Sequence, residues 1–330
     1  MRTKKKVAIV LLCLVIIGAF LLLTSHFDDW LQPLVESGHF SARENEREMK
    51  TVMLNGEPYL PDDHVKTFLL IGLDSTGKAG SSGGYYNTDQ ADFIMVAAVN
   101  TETGTCRFLQ INRDTMTEVD QLGISGAKYG SRVEQIALSH TYGDGTAHSC
   151  LNVASAVSNL LHGVKIDYYL SMTMDAVSIL NDYVGGVSVT MDEDYSEIHP
   201  SFRKGETVLL TGDMAMALVR TRGGAAEPTN VARMKRQKLY IDAFQRKVFG
   251  GTPKSDAYWM DAYSAISDYV VTNCDTVSFS ALVKNMNSYQ CFDVVSPDGE
   301  AKKGSEFMEF YVDEQHLQTL VAEMFFRRAD

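Results

Sequence analysis

Positive charge is scarce in this 330-residue sequence: 30 Lys and Arg stand against 42 Asp and Glu, a formal net charge of -12. Nucleic acid calls for a broad basic surface, so no nucleic-acid partner is expected. Cysteine is scarce as well, five in all, and no spacing among them resembles a zinc site. Cys13 falls in an N-terminal apolar run, whereas Cys106, Cys150, Cys274 and Cys291 allow two disulfides without requiring them. The Ser and Cys residues near His140, His148 and His162 lack nucleophile-elbow spacing, so these histidines read as ordinary helix or loop residues. A serine or cysteine hydrolase is therefore not expected. The chain shows no internal repeat and no low-complexity block.

Hydrophobic residues make up 45% of the chain, enough for a sizeable core. Arg2, Lys4, Lys5 and Lys6 precede an uncharged run from Val7 to Thr24. As a helix that run spans roughly 27 Å, close to the hydrocarbon thickness of a bilayer. The run is long for a signal peptide, and no clear small-x-small cleavage site follows it. The expectation is an uncleaved, single-pass anchor in the cell membrane. The basic tail at 1–6 would stay in the cytoplasm and the remainder lie outside the cell. Without the four N-terminal basic residues the charge falls to -16, which strengthens the case against nucleic acid.

Against that acidic background one stretch is basic. From Arg203 to Lys247 ten Lys/Arg face four Asp/Glu, and Arg220, Arg222, Arg233, Arg236 and Gln237 lie in it. Guanidinium forks match phosphate oxygens two at a time, so a bound polyanion is implied. Arg233 and Gln237 are four apart and share a helix face, with Arg233 in a first turn where backbone N–H groups already favour an anion. A solvated basic face explains the same pattern equally well. Asp74 ends one predicted strand and Asp92 opens the next. Two carboxylates at adjacent strand ends are either turn aspartates or ligands of one magnesium ion.

The predicted elements place these residues. Lys66–Gly72 reads as a buried strand, Ser75–Asn87 as a Gly/Ser-rich loop, and Phe93–Asn100 with Thr105–Asn112 as an antiparallel hairpin. Helices are predicted over Ser149–His162, Met174–Tyr183 and Thr211–Leu218. Another is capped by Thr229 or Asn230, and it carries Met234, Ile241, Phe244 and Val248 as its apolar stripe. Strands are predicted over Val187–Met191 and near Gln290–Val295, with two or three further helices after 255. The fold class is α/β: a three-layer domain with a mixed central sheet flanked by helices, preceded by one transmembrane helix. The organisation is a tail at 1–6, an anchor at 7–24, a polar stalk at 25–65 and an extracellular domain at 66–330, its motif core at 66–249. The region after 250 is expected to complete the sheet, because no linker intervenes.

Several short motifs occur in order: G-L-D at 72–74, A-D-F-I-M-V at 91–96, N-R-D-T at 112–115, V-G-G-V-S-V at 184–189, A-L-V-R-T-R at 217–222 and R-M-K-R-Q at 233–237. With the anchor, this order resembles the LytR–CpsA–Psr family of bacterial cell-envelope proteins. The resemblance implies a long apolar pocket for a polyprenyl chain. It also implies transfer of an anionic glycopolymer, a teichoic acid for example, from a polyprenyl-pyrophosphate carrier to peptidoglycan, leaving a phosphodiester link. By the same resemblance Arg113, Arg220, Arg222, Arg233, Gln237 and Gln90 bind the pyrophosphate, and Asp74 and Asp92 hold magnesium. Arg113, Asp92 and Arg222 are the catalytic group. A pyrophosphatase acting on the same donor, and a non-catalytic member that only holds polyprenyl phosphates, use the same residues. Three features depart from the family pattern: Gln90 replaces an arginine, the loop between Asp74 and Asp92 is long and Gly/Ser-rich with Lys78 as its one basic residue, and Asn230 replaces an aspartate; Asn112 stands where a proline is common, a difference that carries no inference. Gln90 matters most, since a neutral donor grips phosphate about half as strongly as a charged one.

Overall fold

The computed structural model describes residues 51–84, 86–123, 125–221, 230–249, 254–274, 290–305 and 307–329. The expected anchor and residues 25–50 of the expected stalk lie outside them. Within the segment read as stalk, β1 (Val52–Leu54) and β2 (Glu57–Pro61) form an antiparallel hairpin. Asn55 and Gly56, both at positive φ, make its two-residue turn.

The centre of the fold is an antiparallel run of three strands: β3 (Val65–Leu73), β4 (Ala91–Asn100) and β5 (Thr105–Ile111). After it come the hairpin β6 (Met116–Leu122) and β7 (Lys128–Gln135), α1 (Ala147–Leu160), β8 (Tyr168–Met172) and α2 (Met174–Tyr183). A second hairpin, β9 (Val187–Thr190) and β10 (Thr207–Leu210), leads into α3 (Gly212–Arg220) and α4 (Asn230–Phe249). The remainder comprises α5 (Asp256–Ile266), β11 (Val270–Thr272), β12 (Gln290–Val295), the hairpin β13 (Gly299–Lys303) and β14 (Met308–Val312), α6 (Glu314–Phe325) and β15 (Phe326–Arg328).

The main sheet has six strands in the order β11-β8-β3-β4-β5-β12. It is mixed, as expected: β3 pairs parallel with β8 and β12 parallel with β5, while the other pairs are antiparallel. Both edges come from the region after 250, so that region does complete the sheet. In β3, Phe68 and Leu70 face one core while Leu69 and Ile71 face the other, the period-2 alternation of a strand buried on both sides. Helices α2, α3, α4 and α5 cover the first face, through Leu180, Leu218, Phe244 and Trp259 among others. Helices α1 and α6 cover the second, through Val153, Val157, Leu317 and Val321. Each such fully buried side chain contributes about 1.5–3 kcal/mol from area removed from water.

Candidate active site

Because β4 runs against β3 and β5, the ends of β3 and β5 and the start of β4 meet at one end of the sheet. A register shift sharpens that end. Gly72 pairs with Phe93 and Leu73 with Ala91, so Asp92 is the extra residue of a β-bulge. A bulge re-aims the side chain it carries. Gly72 permits the close approach, since a Cβ there would sit 2.9 Å from the Phe93 Cβ. The chain beyond the bulge is tied across: Asp74 N–H donates to the Gln90 carbonyl at 3.3 Å, and Gln90 N–H donates to Asp74 Oδ1 at 3.1 Å.

Asp92 is buried and carries two arginines. Its Oδ1 pairs with Arg113 Nη1, and its Oδ2 accepts from Arg233 Nη1 at 2.6 Å. Arg113 enters from just beyond β5 and Arg233 from the first turn of α4, so one carboxylate locks the helix start to the sheet end. Arg113 also donates to Gln90 Oε1 at 2.5 Å and pairs through Nε with Asp114 at 3.3 Å. Asn230 Oδ1 accepts from Arg233 Nε at 3.1 Å and Nη2 at 2.5 Å, while its amide donates to Asn112 Oδ1 at 2.6 Å. Asp74, Gln90, Arg113, Asp92, Arg233, Asn230 and Asn112 thus form one continuous hydrogen-bonded chain.

The expected site residues separate into groups. Asp74, Gln90, Asp92, Arg113 and Arg233 come together. Gln237, one turn along α4, accepts from Gln110 Nε2 at 3.0 Å and is buried beside the cluster. Arg220 ends α3 in an exposed position, and its side chain makes no hydrogen bond or ion pair among the described residues. Arg222 lies outside the described residues. The face bearing Arg233, Arg236 and Gln237 is no solvated basic face, since all three are buried. Arg236 has a separate task. It donates to the carbonyls of Leu218, at 3.1 Å, and Thr221, and its guanidinium lies 5.7 Å from the Tyr195 ring centroid. A cation on the last carbonyls of α3 completes that helix end and fixes where the Arg220–Thr221 segment leaves it. Burial lowers the Arg236 pKa.

Sequence reasoning passed over Gln110 and gave Asn112 no role. Both sit where an apolar strand ends, and a polar residue on the buried face of a strand such as Thr105–Ile111 is a signal that could have found Gln110. Cys150 is a free buried thiol whose pKa burial pushes up, and it takes no part in the site.

Asp74 and Asp92 do not form a two-carboxylate cation site as they stand, because both oxygens of Asp92 already hold guanidinium ions. Asp74 is half-buried and has a second oxygen beyond the one that accepts from Gln90. One carboxylate with phosphate oxygens and water is enough for magnesium.

Two cavities adjoin the cluster. The first, about 860 Å³ including its mouth, is walled by Leu70, Phe93, Met95, Val177, Tyr240 and Phe244 among others, and is almost wholly apolar. Its wall includes Leu73, Phe93 and Gln237, immediate neighbours of Asp74, Asp92 and Arg233 along strand or helix. It lies between the sheet and helices α2 and α4. The second, about 800 Å³ including its mouth, shares Arg113, Arg233, Asn112 and Asn230 with the cluster and is bordered by the β13–β14 hairpin.

Known proteins resemble this chain in sequence and in fold. The polyisoprenyl-teichoic acid–peptidoglycan teichoic acid transferase TagU of Bacillus mycoides is 28% identical over 247 residues, 74% of this chain and 72% of that protein. TagU of Bacillus licheniformis is 26% identical over 332 residues, 98% of this chain and 97% of its own. The crystal structure of Bacillus subtilis TagV shares the fold, with a TM-score of 0.61 at 21% identity over 80% of this chain and 98% of TagV. The model of the LytR_cpsA_psr family matches residues 34–325, and the chain belongs to that family.

Proposed function

We propose that this protein transfers an anionic glycopolymer from a polyprenyl-pyrophosphate carrier to peptidoglycan, leaving a phosphodiester link. The observation that carries this reading is the Arg113–Asp92–Arg233 cluster beside an apolar cavity. A prenyl chain needs an apolar sleeve, and a pyrophosphate needs fixed cations where the sleeve ends. Asp92 holds two guanidinium ions at the spacing of one oxyanion group, so they are in place before the phosphates arrive. Phosphoryl transfer depends mainly on such positioning and charge neutralisation. The TagU relatives, teichoic acid transferases, support the same reading.

In this proposal Arg113 and Arg233 bind the phosphates directly and Gln237 borders the path of the lipid. Arg220, exposed at the end of α3, and Arg222 supply further charge. Gln90 orients Arg113 through its carbonyl oxygen, where the family pattern has a cation. Magnesium belongs to the proposal through Asp74; when bound it neutralises phosphate charge, and Asp92 would join it only by releasing an arginine. Residues 7–24 anchor the protein in the membrane with its domain outside, which keeps the site near a lipid-borne donor.

The test uses full-length protein in nanodiscs with a polyprenyl-pyrophosphate-linked glycan and peptidoglycan. Acceptor-dependent formation of a phosphodiester-linked product is expected, with loss of product on Arg113→Ala. Donor that binds but gives no linked product refutes the transferase. Glycan phosphate released equally fast with and without acceptor identifies a pyrophosphatase.

A further inference from the structure

Resting on that reading, we propose that Asn87 and His140 are positioning residues for the transfer: as a buried clamp they fix the chain from Asn87 to Gln90 and, through Gln90, aim the guanidinium of Arg113. Gln90 lies between a loop and a strand. The Gly/Ser-rich loop before it carries Gly77, Gly80, Gly83 and Gly84, and each adds backbone freedom that a fixed Gln90 requires to be removed. The placement has to be close, because the Gln90 side chain meets Arg113 Nη2 at 2.5 Å while its N–H holds Asp74 Oδ1.

Two buried side chains supply the constraint. Asn87 Nδ2 is within hydrogen-bond distance of the His140, Thr141 and Gly143 carbonyls and of Ser149 Oγ, at 2.9, 3.4, 3.3 and 3.1 Å. Its Oδ1 accepts from Asp89 N–H at 2.9 Å, and its own N–H donates to the Thr141 carbonyl at 2.9 Å. His140 is wholly buried and donates from Nδ1 to the Asp89 carbonyl at 2.9 Å. A carbonyl only accepts, so the neutral ring carries its proton on Nδ1. Nε2 is then a buried lone pair, and it has no hydrogen-bond partner among the described residues. Such a group is costly to keep. An apolar side chain would fill the same space without that cost, so the Nδ1 donor is what this position retains.

These bonds close a ring through the site. The 3₁₀ segment Ile136–Thr141, which bears His140, is bonded to the chain just beyond β5: Ile136 N–H donates to the Thr115 carbonyl at 2.8 Å and Ala137 N–H to the Arg113 carbonyl at 3.1 Å. From the Arg113 main chain the ring runs through Ala137 and His140, across to Asp89 and Gln90, and back to the Arg113 guanidinium. Both ends of that arginine are thereby referred to one frame, which is what a cation aimed at a pyrophosphate needs. Asn87 and His140 act through Gln90 and do not themselves meet the phosphates.

Full-length protein in nanodiscs would be assayed for transfer from a polyprenyl-pyrophosphate-linked glycan to peptidoglycan, with binding of inorganic pyrophosphate measured by calorimetry on the same samples. His140→Phe keeps the bulk of the ring and removes the donor. It is expected to lower both kcat/KM for the lipid-linked donor and affinity for inorganic pyrophosphate by about tenfold. His140→Asn, whose amide replaces Nδ1, should restore most of both. Asn87→Ala should reproduce the loss from the other side of the clamp. Gln90→Ala should lose as much, and adding His140→Phe to it should cost little more, because the path is already broken. Rates and affinities are taken per folded molecule, below the melting temperature of each variant. The proposal is overturned if folded His140→Phe and Asn87→Ala keep the natural rate and affinity, if His140→Asn does no better than His140→Phe, or if the losses at Gln90 and His140 multiply. If the natural protein binds pyrophosphate but transfers nothing, the transferase reading falls while the affinities still decide on the clamp. If it binds no pyrophosphate, both fall.

Discussion

Removing the charge of Asp92 should cost stability and be repaired by a phosphate. In the native protein Asp92, Arg113 and Arg233 are all buried, with Asp92 serving both arginines. Asp92→Asn removes the one carboxylate that the two arginines share. An unmatched buried charge costs about 3–5 kcal/mol. For a domain of this size each kcal/mol lowers Tm by about 2–4 °C, so a fall of about 6–20 °C is expected by calorimetry or circular dichroism. Inorganic pyrophosphate should reverse part of it, because an anion between Arg113 and Arg233 replaces what was removed. At about a hundred times its Kd, a ligand that binds only folded protein adds about 2.7 kcal/mol. The rise in Tm with pyrophosphate should be larger for Asp92→Asn than for the natural protein, where anion and carboxylate compete for the same guanidinium ions. A variant that melts with the natural protein, or that gains no more from pyrophosphate, refutes the view of Asp92 as a resident stand-in for phosphate.

Arg236→Ala should destabilise by about 2–3 kcal/mol in urea unfolding, since the last carbonyls of α3 lose charged donors, and Arg236→Lys should recover only part of it. Gly72→Ala forces the Phe93 backbone away and should cost about 1–3 kcal/mol while weakening pyrophosphate binding, because Asp92 sits in the same bulge. Burial holds the His140 pKa below its ordinary value, against the opposing pull of the Asp89 carbonyl, so the folded protein keeps this ring neutral. The unfolded chain then binds the extra proton, and stability should fall as pH drops below about 6.5, a slope that His140→Gln reduces in acid unfolding curves. Chelating divalent cations should lower transfer in the natural protein, and Asp74→Asn should mimic that loss without changing Tm appreciably.

The buried strands and the long helices were legible because their apolar spacing is unambiguous. The run Lys66–Gly72 lies wholly within β3, and helix Met174–Tyr183 starts and ends as expected. The hairpins β6–β7 and β13–β14 left no such trace. Most of Lys128–Gln135 and all of Gly299–Lys303 face solvent, so polar residues occupy both faces and no period-2 pattern survives. Within the site, the meeting of Asp92, Arg113 and Arg233 followed from motif order. The difference between Arg233 and Arg236 did not. The two are three residues apart with similar surroundings in sequence, and only the packing of Tyr195 and the end of α3 gives Arg236 to the scaffold. Thr229 lies outside the described residues, and the Asn230 side chain serves Arg233 and Asn112.

The order of strands in the main sheet bears on how the protein is made. Its inner strands are the first to emerge, yet β5 has no partner on its outer side until Gln290 can pair with Thr105, and β8 waits likewise for Val270 to reach Met172. Until then a long apolar hairpin and a parallel neighbour have two open edges, each a template for joining another chain. Such distant pairings close slowly. A newly made molecule therefore passes through a period in which its best-formed part is also its stickiest, and substitutions in β11 or β12 should reduce yield before they reduce the activity of the molecules that finish folding.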